Sequence, residues 1–202
     1  YAYDAANRLE QVFDGTGNRL VEYAYHPDNT LASKRYGNGI VTSYTYDGDK
    51  NLTGMNAVTS KGNPLALMSF SYDLNGNLLQ KKEQRPANTE HLNATTGNHS
   101  NEQHTTSYAY DSLNRLTEAV YDTTRHTYVY DRAGNRIEKT IGDTIERYTC
   151  NTRNQLTQIQ RDNGITSFFY DNQGNLAKEE TPDGTNTFRY DAMNRQVQAT
   201  TK

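Results

Sequence analysis

The feature that most constrains this chain is a short internal repeat. An aromatic-x-Tyr-Asp motif occurs seven times in 202 residues, and two further copies depart from it at one or both of the last two positions; the third residue of the motif serves as the anchor of each copy. Successive anchors are 22, 21, 26, 38, 20, 20, 20 and 20 residues apart. The anchors are Tyr3, Tyr25, Tyr46, Tyr72, Tyr110, Tyr130, Cys150, Tyr170 and Tyr190. A period of this length is typical of repeat proteins, so we predict a single array of about nine repeats over residues 1–202.

Two columns of the repeat predict a tight turn directly after each anchor. The next residue is Asp in seven copies: Asp4, Asp47, Asp73, Asp111, Asp131, Asp171 and Asp191. The fourth residue after the anchor is Asn or Gly in eight copies, among them Gly76, Gly134 and Gly174. Asp can accept hydrogen bonds from the backbone amides ahead of it, and Asn and Gly tolerate positive φ. The pattern predicts a type I turn closed by a left-handed residue.

The residues between the turns predict strands. Leu stands six residues after seven of the anchors, and we expect a one-residue bulge in the two copies where Arg136 and Gln196 replace it. A second turn falls about fourteen residues after the anchor. Side chains alternate with period two, as in Val21, Tyr23 and Tyr25. We therefore predict an all-β fold in which tandem hairpins form one long, curved antiparallel sheet.

The two irregular spacings predict insertions. The spacing of 38 indicates an inserted polar loop over residues 84–105, which are rich in Asn, Thr and His. The spacing of 26 indicates a shorter excursion around residues 57–63.

The amino-acid composition indicates the kind of sheet and excludes some classes of partner. Only 33% of the residues are hydrophobic, and 16 Tyr supply much of the apolar area, which suits a sheet with one wet face. The net charge is −3 and the basic residues form no stripe, so we expect no nucleic-acid partner. No apolar run approaches the roughly 20 residues of a transmembrane helix, so we expect no transmembrane segment.

Two of the turns carry a family resemblance, through Tyr110-Asp111-Ser112-Leu113-Asn114-Arg115-Leu116 and Tyr130-Asp131-Arg132-Ala133-Gly134-Asn135-Arg136-Ile137. They resemble the YD repeat of Rhs proteins, insecticidal toxin-complex shells, wall-associated bacterial proteins and teneurins. The resemblance implies a strip of hairpins that forms part of a shell or barrel. It implies a secreted or cell-surface protein, most often bacterial. The family's C-terminal core, which seals the shell and cleaves the chain in many members, has no match here.

That resemblance implies a structural scaffold. We expect a non-enzymatic segment of a YD-repeat shell that encloses or displays a toxin, an effector or another part of a larger secreted protein. Its partner would be the rest of its own polypeptide, comprising further shell and a C-terminal cargo.

The sequence predicts no catalytic, cofactor-binding or metal-binding residues. The periodic Asp residues occupy equivalent turns, whereas a catalytic pair of carboxylates needs two unlike environments. His91, His99 and His104 match no standard zinc spacing. Cys150 replaces an anchor Tyr and is expected to act as a small buried hydrophobic residue.

One alternative function rests on the aromatic columns. Rows of Tyr beside Asp and Asn are typical of carbohydrate sites, so the chain could be an extracellular module that binds glycans or a cell-surface protein. Tyr108, Tyr128 and Tyr148 are then the candidates for stacking on a ligand. The structural interpretation is that the Tyr columns form aromatic ladders that hold neighbouring hairpins together.

Overall fold

The computed structural model describes residues 1–85 and 102–201, and these residues form strands and turns only. The predicted all-β antiparallel fold is confirmed. The chain divides into two compact units, Tyr1–Tyr108 and Ala109–Lys202, and the single array of nine repeats stays a prediction. The division follows the long insertion between the fourth and fifth anchors. His91 and His99 lie outside the described residues.

The first unit is a ladder of hairpins in which each strand pairs antiparallel with the next along the chain. Its strands are β1 (Ala2–Tyr3), β2 (Leu9–Phe13), β3 (Arg19–Tyr25), β4 (Leu31–Tyr36), β5 (Val41–Tyr46), β6 (Leu52–Val58), β7 (Pro64–Tyr72), β8 (Leu78–Arg85) and β9 (Glu102–Tyr110), whose last two residues are counted in the second unit.

The second unit repeats the same arrangement with a constant period, and again each strand pairs antiparallel with its successor. Its strands are β10 (Leu116–Tyr121), β11 (Thr124–Tyr130), β12 (Arg136–Ile141), β13 (Thr144–Cys150), β14 (Leu156–Arg161), β15 (Gly164–Tyr170), β16 (Leu176–Thr181), β17 (Gly184–Tyr190) and β18 (Gln196–Thr200).

A bulge interrupts the register beside the anchor in every copy whose pairing is described. The pairing shifts between Val129 and Tyr130, for example, so that Tyr130 lies opposite Arg136. Cys150 likewise lies opposite Leu156, where the column has its usual Leu. The bulges expected in the copies with Arg136 and Gln196 are present, and the same bulge occurs in the other described copies as well. The cause is the turn itself, because a type I turn followed by a left-handed residue places one extra residue on one strand.

The second turn of each repeat differs between the units and explains the spacings. In the first unit it is a longer turn, closed for instance by a hydrogen bond of 3.0 Å from the Gly62 amide to the Thr59 carbonyl. In the second unit it shortens to two residues, as where Ile141 pairs directly with Thr144. The shorter turn gives the constant spacing of 20 residues.

Both predicted insertions need correction at their boundaries. The ends of the predicted 84–105 loop belong to β8 and β9, and Glu83 pairs with His104, because the polar residues there alternate as a hairpin extension. Residues 59–63 form an ordinary turn rather than an excursion. The extra length of that repeat lies instead in β6 and β7, which have 7 and 9 residues.

Neither unit encloses a conventional core in its described residues. Ala119 is the one hydrophobic residue there that is fully buried, and Thr42 and Thr166 are the buried polar residues. Large side chains such as Val129 and Phe169 remain 45% and 43% exposed. Each unit is thus stabilised by contacts within its sheet and turns.

Candidate functional site

The best-defined side-chain arrangement is the Asp turn that follows each anchor. In one copy the Asp111 amide donates to the Arg115 carbonyl at 3.0 Å, and the Asn114 amide donates to the Asp111 carbonyl at 3.0 Å. The Asp111 carboxylate accepts the amides of Leu113 and Arg115 at 2.9 and 3.0 Å through one oxygen, Oδ1. The Asp side chain therefore accepts hydrogen bonds from loop amides that have no partner in the strands.

The fourth residue after the anchor has positive φ in all nine copies. The values run from 59° at Asn7 to 91° at Gly174. Lys50, the one copy that is neither Asn nor Gly, adopts φ 65°. The sequence position and the backbone conformation therefore agree throughout the chain.

A further column, five residues after the anchor, completes the seven turns that have Asp directly after the anchor and was not predicted from the sequence. Its side chain binds the second carboxylate oxygen, Oδ2, of the turn Asp. Arg115 donates from Nε to Asp111 at 2.7 Å, and Asn135 donates from Nδ2 to Asp131 at 2.9 Å. The signal was available, since the column contains Arg or Asn in seven copies: Arg8, Asn51, Asn77, Arg115, Asn135, Asn175 and Arg195.

The same column joins each turn of the second unit to the next one. Arg115 Nη1 donates to the Asp131 carbonyl at 3.2 Å, and Asn135 Nδ2 donates to Asn154 Oδ1 at 2.9 Å. Gln155 continues to the Gly174 carbonyl at 3.4 Å. Asn175 closes the series with a bond of 2.9 Å to Asn194 Oδ1. We call this continuous set of four links, carried by Arg115, Asn135, Gln155 and Asn175, the turn ladder.

The first unit contains related links with less regular chemistry. Arg8 Nη1 donates to Asn29 Oδ1 at 2.7 Å, and Lys50 Nζ reaches back to the Asp28 carbonyl at 2.9 Å. His26 occupies the Asp position in the second copy, and there Asp28 accepts the Thr30 amide instead at 3.0 Å. In the first unit these bonds connect the turns after Tyr3, Tyr25 and Tyr46.

The anchor tyrosines form a second set of links between repeats. In five copies the hydroxyl donates to the backbone carbonyl of the Leu in the preceding repeat. The bonds are Tyr25 to Leu9, Tyr46 to Leu31, Tyr72 to Leu52, Tyr130 to Leu116 and Tyr170 to Leu156, at 2.8–3.0 Å. Each hydroxyl satisfies a carbonyl at the start of a strand, where the bulge disturbs the regular pairing.

Cations, not stacked rings, lie between the aromatic side chains that precede the anchors. The Arg136 guanidinium, on β12, lies 5.8 Å from the ring centroid of Tyr128 and 4.7 Å from that of Tyr148. Lys34, on β4, lies 5.9 and 5.8 Å from the rings of Tyr23 and Tyr44. These distances fall within the range of cation–π attraction.

The expectation of ring-on-ring ladders is wrong at these four tyrosines. The column recurs on every second strand, which separates its members by about 10 Å at a strand spacing of about 4.8 Å. Ring pairs need centroids within about 7 Å. The intervening strand must therefore supply the contact, and here it supplies a Lys or an Arg.

The three candidate stacking residues are not brought together as one platform. Tyr128 and Tyr148 flank Arg136, and Tyr148 also donates from its hydroxyl to Glu146. Burial, followed by the bond to Glu146, raises the pKa of Tyr148. Tyr108 is half-buried on β9 in the first unit. The proposed role of these rings in binding glycans stays a prediction.

The turn carboxylates are held in their ionised form. The side-chain bond from Asn135, together with backbone amides, lowers the pKa of Asp131. Asn175 does the same for the pKa of Asp171, and at Asp111 the Arg115 amide is the largest cause of the lowered pKa. These groups serve as acceptors in the turns.

Groups suited to metal binding or nucleophilic chemistry are scattered in the described residues. Within residues 1–85 and 102–201, no three His, Cys, Asp or Glu side chains lie close enough to hold a metal ion. Cys150 is half-buried, and burial raises the pKa of its thiol, which disfavours the reactive thiolate.

Across the same residues, no helix is long and apolar enough to cross a bilayer.

Comparison with known proteins identifies the repeat. Residues 170–202 match the RHS Repeat family model. No curated protein matches the chain. The predicted YD or Rhs repeat is confirmed by the family match over residues 170–202.

Solved toxin-complex structures share this fold along nearly the whole chain. The crystal structure of TcdB2-TccC3 matches 99% of this chain at 16% identity with a TM-score of 0.57. The Photorhabdus luminescens Tc holotoxin pore, carrying a TccC3 mutation, matches 99% at 16% identity with a TM-score of 0.56. This chain spans only 14% and 13% of the length of those chains.

Proposed function

We propose that this chain is a non-enzymatic scaffold, a segment of a YD-repeat shell that encloses or displays another part of a larger secreted polypeptide. The observation that carries the proposal is the turn ladder of the second unit, in which four consecutive links join five equivalent turns. These polar side chains join one repeat to the next, and an extended wall needs such contacts between its repeats.

The distribution of charged groups supports the same role. The turn carboxylates are equivalent, ionised and saturated by local donors, so none is poised to transfer a proton at neutral pH. The apolar side chains left exposed on the single-layered sheet, such as Val129 and Phe169, suit a wall that contacts further polypeptide. The resemblance to the YD repeat implies that the enclosed segment would be a toxin or effector.

A binding screen separates this scaffold from a glycan-binding module. The purified chain would be tested against a glycan array and against cell surfaces, beside Tyr128→Ala and Tyr148→Ala variants whose fold is verified by circular dichroism. The scaffold proposal predicts no saturable binding of any glycan. Saturable binding that both folded variants lose would overturn it in favour of the adhesion module.

A further inference from the structure

A group of charged side chains on one face of the second unit has more cations than carboxylates. Glu146, Tyr148 and Cys150 alternate along β13 and so project from the same face. Lys139 on β12 lies opposite Glu146, and Arg161 extends from β14. Together with Arg136 these side chains line one concavity, which we call the β12–β14 concavity.

Glu146 is fully engaged by its neighbours. Its Oε1 accepts Arg161 Nε at 2.6 Å, and its Oε2 accepts the Tyr148 hydroxyl and lies 3.8 Å from Lys139 Nζ. The Tyr148 hydroxyl and Arg161 hold the pKa of Glu146 below its usual value. The Glu146 carboxylate therefore interacts with both Arg161 and Lys139, and the concavity contains one further cation.

Arg136 is that third cation. Its guanidinium is positioned by the rings of Tyr128 and Tyr148, but it has no hydrogen bond or ion pair within the part of the chain that the structure describes. A guanidinium carries five N–H donors in a planar fork that matches a carboxylate. Among the described residues, the concavity thus has three cations and one carboxylate, and the guanidinium without an ion pair is positioned by two tyrosine rings.

The walls of the β12–β14 concavity favour a peptide over a sugar. The Arg136 guanidinium lies 4.7 Å from the centroid of the Tyr148 ring, so a side chain of the sheet already covers a face of that ring, and Ile159 is the cross-strand neighbour of Tyr148 on β14. Leu156 and Ile159 add half-buried apolar surface beside the cations. A peptide with an acidic side chain next to an apolar one can pair its carboxylate with the cations and pack its apolar side chain against Leu156 and Ile159.

We infer that the β12–β14 concavity binds an acidic peptide segment, with Arg136 as the main donor to a Glu or Asp carboxylate and Lys139 and Arg161 as supporting cations. This site goes beyond the scaffold role, because it assigns a ligand chemistry to one place on the wall. The two proposals are tested separately, because the scaffold proposal is tested with glycans and cell surfaces and the peptide site with peptides. Either can therefore be wrong while the other holds.

Cys150 provides a built-in reporter for this site. It is the only cysteine in the sequence and lines the same concavity. The probe is an acetylated, amidated peptide with the sequence Ser-Gly-Leu-Glu-Leu-Gly-Ser, and the readout is the rate at which iodoacetamide alkylates Cys150 in the full chain, followed by mass spectrometry. A peptide with Gln in place of Glu and a uronic acid trisaccharide are run in parallel.

We expect the Glu peptide to slow alkylation in a saturable manner that weakens with added salt, and the Gln peptide to have little effect. Arg136→Gln raises the half-protective concentration about tenfold, which corresponds to the loss of one charge-assisted hydrogen bond. Arg189→Gln removes an exposed cation outside the concavity and leaves protection unchanged.

Glu146→Gln supplies a test of opposite sign, in case Arg136→Gln perturbs the fold. It removes the competing carboxylate, so the half-protective concentration falls below that of the wild type. The inference is overturned if Glu146→Gln weakens protection or if folded Arg136→Gln protects like the wild type. It is equally overturned if the uronic acid protects better than the peptide, which would assign the site to acidic sugars.

Discussion

The hydroxyl of Tyr130 donates a hydrogen bond of 2.8 Å to the backbone carbonyl of Leu116, and so joins one repeat to the repeat before it. The bond recurs in four other copies, which makes it a regular component of the array. It explains why the anchor column is Tyr in eight of nine copies, since Phe would bring the same ring without the donor.

Replacing Tyr130 by Phe should therefore lower the free energy of unfolding by about 1 kcal/mol, because the partly buried Leu116 carbonyl loses its donor. Tyr128→Phe is the matched control, because the Tyr128 contact is made by its ring with Arg136 and survives the change. Urea unfolding followed by circular dichroism measures both. Equal losses in the two variants would contradict the role of the anchor hydroxyl.

The left-handed position of the turn predicts an unusual order of substitutions at Gly134, where φ is 90° and the space for a Cβ is open. Gly134→Ala should destabilise the chain by about 1 kcal/mol, because an ordinary side chain resists positive φ. Gly134→Asn should cost less, because Asn adopts this conformation in five other copies. The same unfolding assay tests the order, and a less stable Asn variant would contradict it.

The turn carboxylates predict a loss of stability in acid. Hydrogen bonds, first from Asn135 and Asn175, hold the pKa values of Asp131 and Asp171 below the ordinary 3.8. Groups with a lowered folded pKa contribute stability that is complete above the unfolded value and is lost as the pH falls through the folded value. The urea midpoint should therefore be flat near neutral pH and decline below about pH 4.

Asp131→Asn and Asp171→Asn together should flatten that decline. The chain already contains such a neutral turn, because Asn151 accepts the Gln155 amide at 3.0 Å without a carboxylate. Urea midpoints of this variant and the wild type between pH 2 and pH 7 provide the measurement. An equally steep acid decline in the double variant would show that other groups cause it.

The link between Asn135 and Asn154 predicts energetic coupling between two repeats. The variants Asn135→Ala and Asn154→Gly form a double-mutant cycle, and Gly at position 154 keeps the backbone conformation that Gly134 and Gly174 adopt in the same column. We expect an interaction free energy of about 0.5 kcal/mol. Strict additivity would show that this exposed bond carries no coupling.

The sequence predicted the turns better than the contacts between them. Asp followed three residues later by Asn or Gly specifies a local conformation, so Asp111 and Asn114 were sufficient to predict a type I turn with a left-handed end. The bond from Arg115 to the Asp131 carbonyl depends on two turns that become neighbours only in the folded sheet. The expected ring ladders failed because Tyr128 and Tyr148 lie two strands apart, with Arg136 between them.

The central claim is that the repeats of the second unit are joined to one another along their turns, and a variant without the turn ladder tests it most directly. Arg115→Ala, Asn135→Ala, Gln155→Ala and Asn175→Ala are combined in the full chain. The control combines Ser112→Ala, Arg132→Ala, Arg153→Ala and Gln173→Ala, which change exposed side chains in four of the same turns. Urea unfolding of both variants is followed by circular dichroism. We predict a lower midpoint and a broader transition for the ladder variant and an unchanged curve for the control; superimposable curves for the ladder variant and the wild type would contradict the claim.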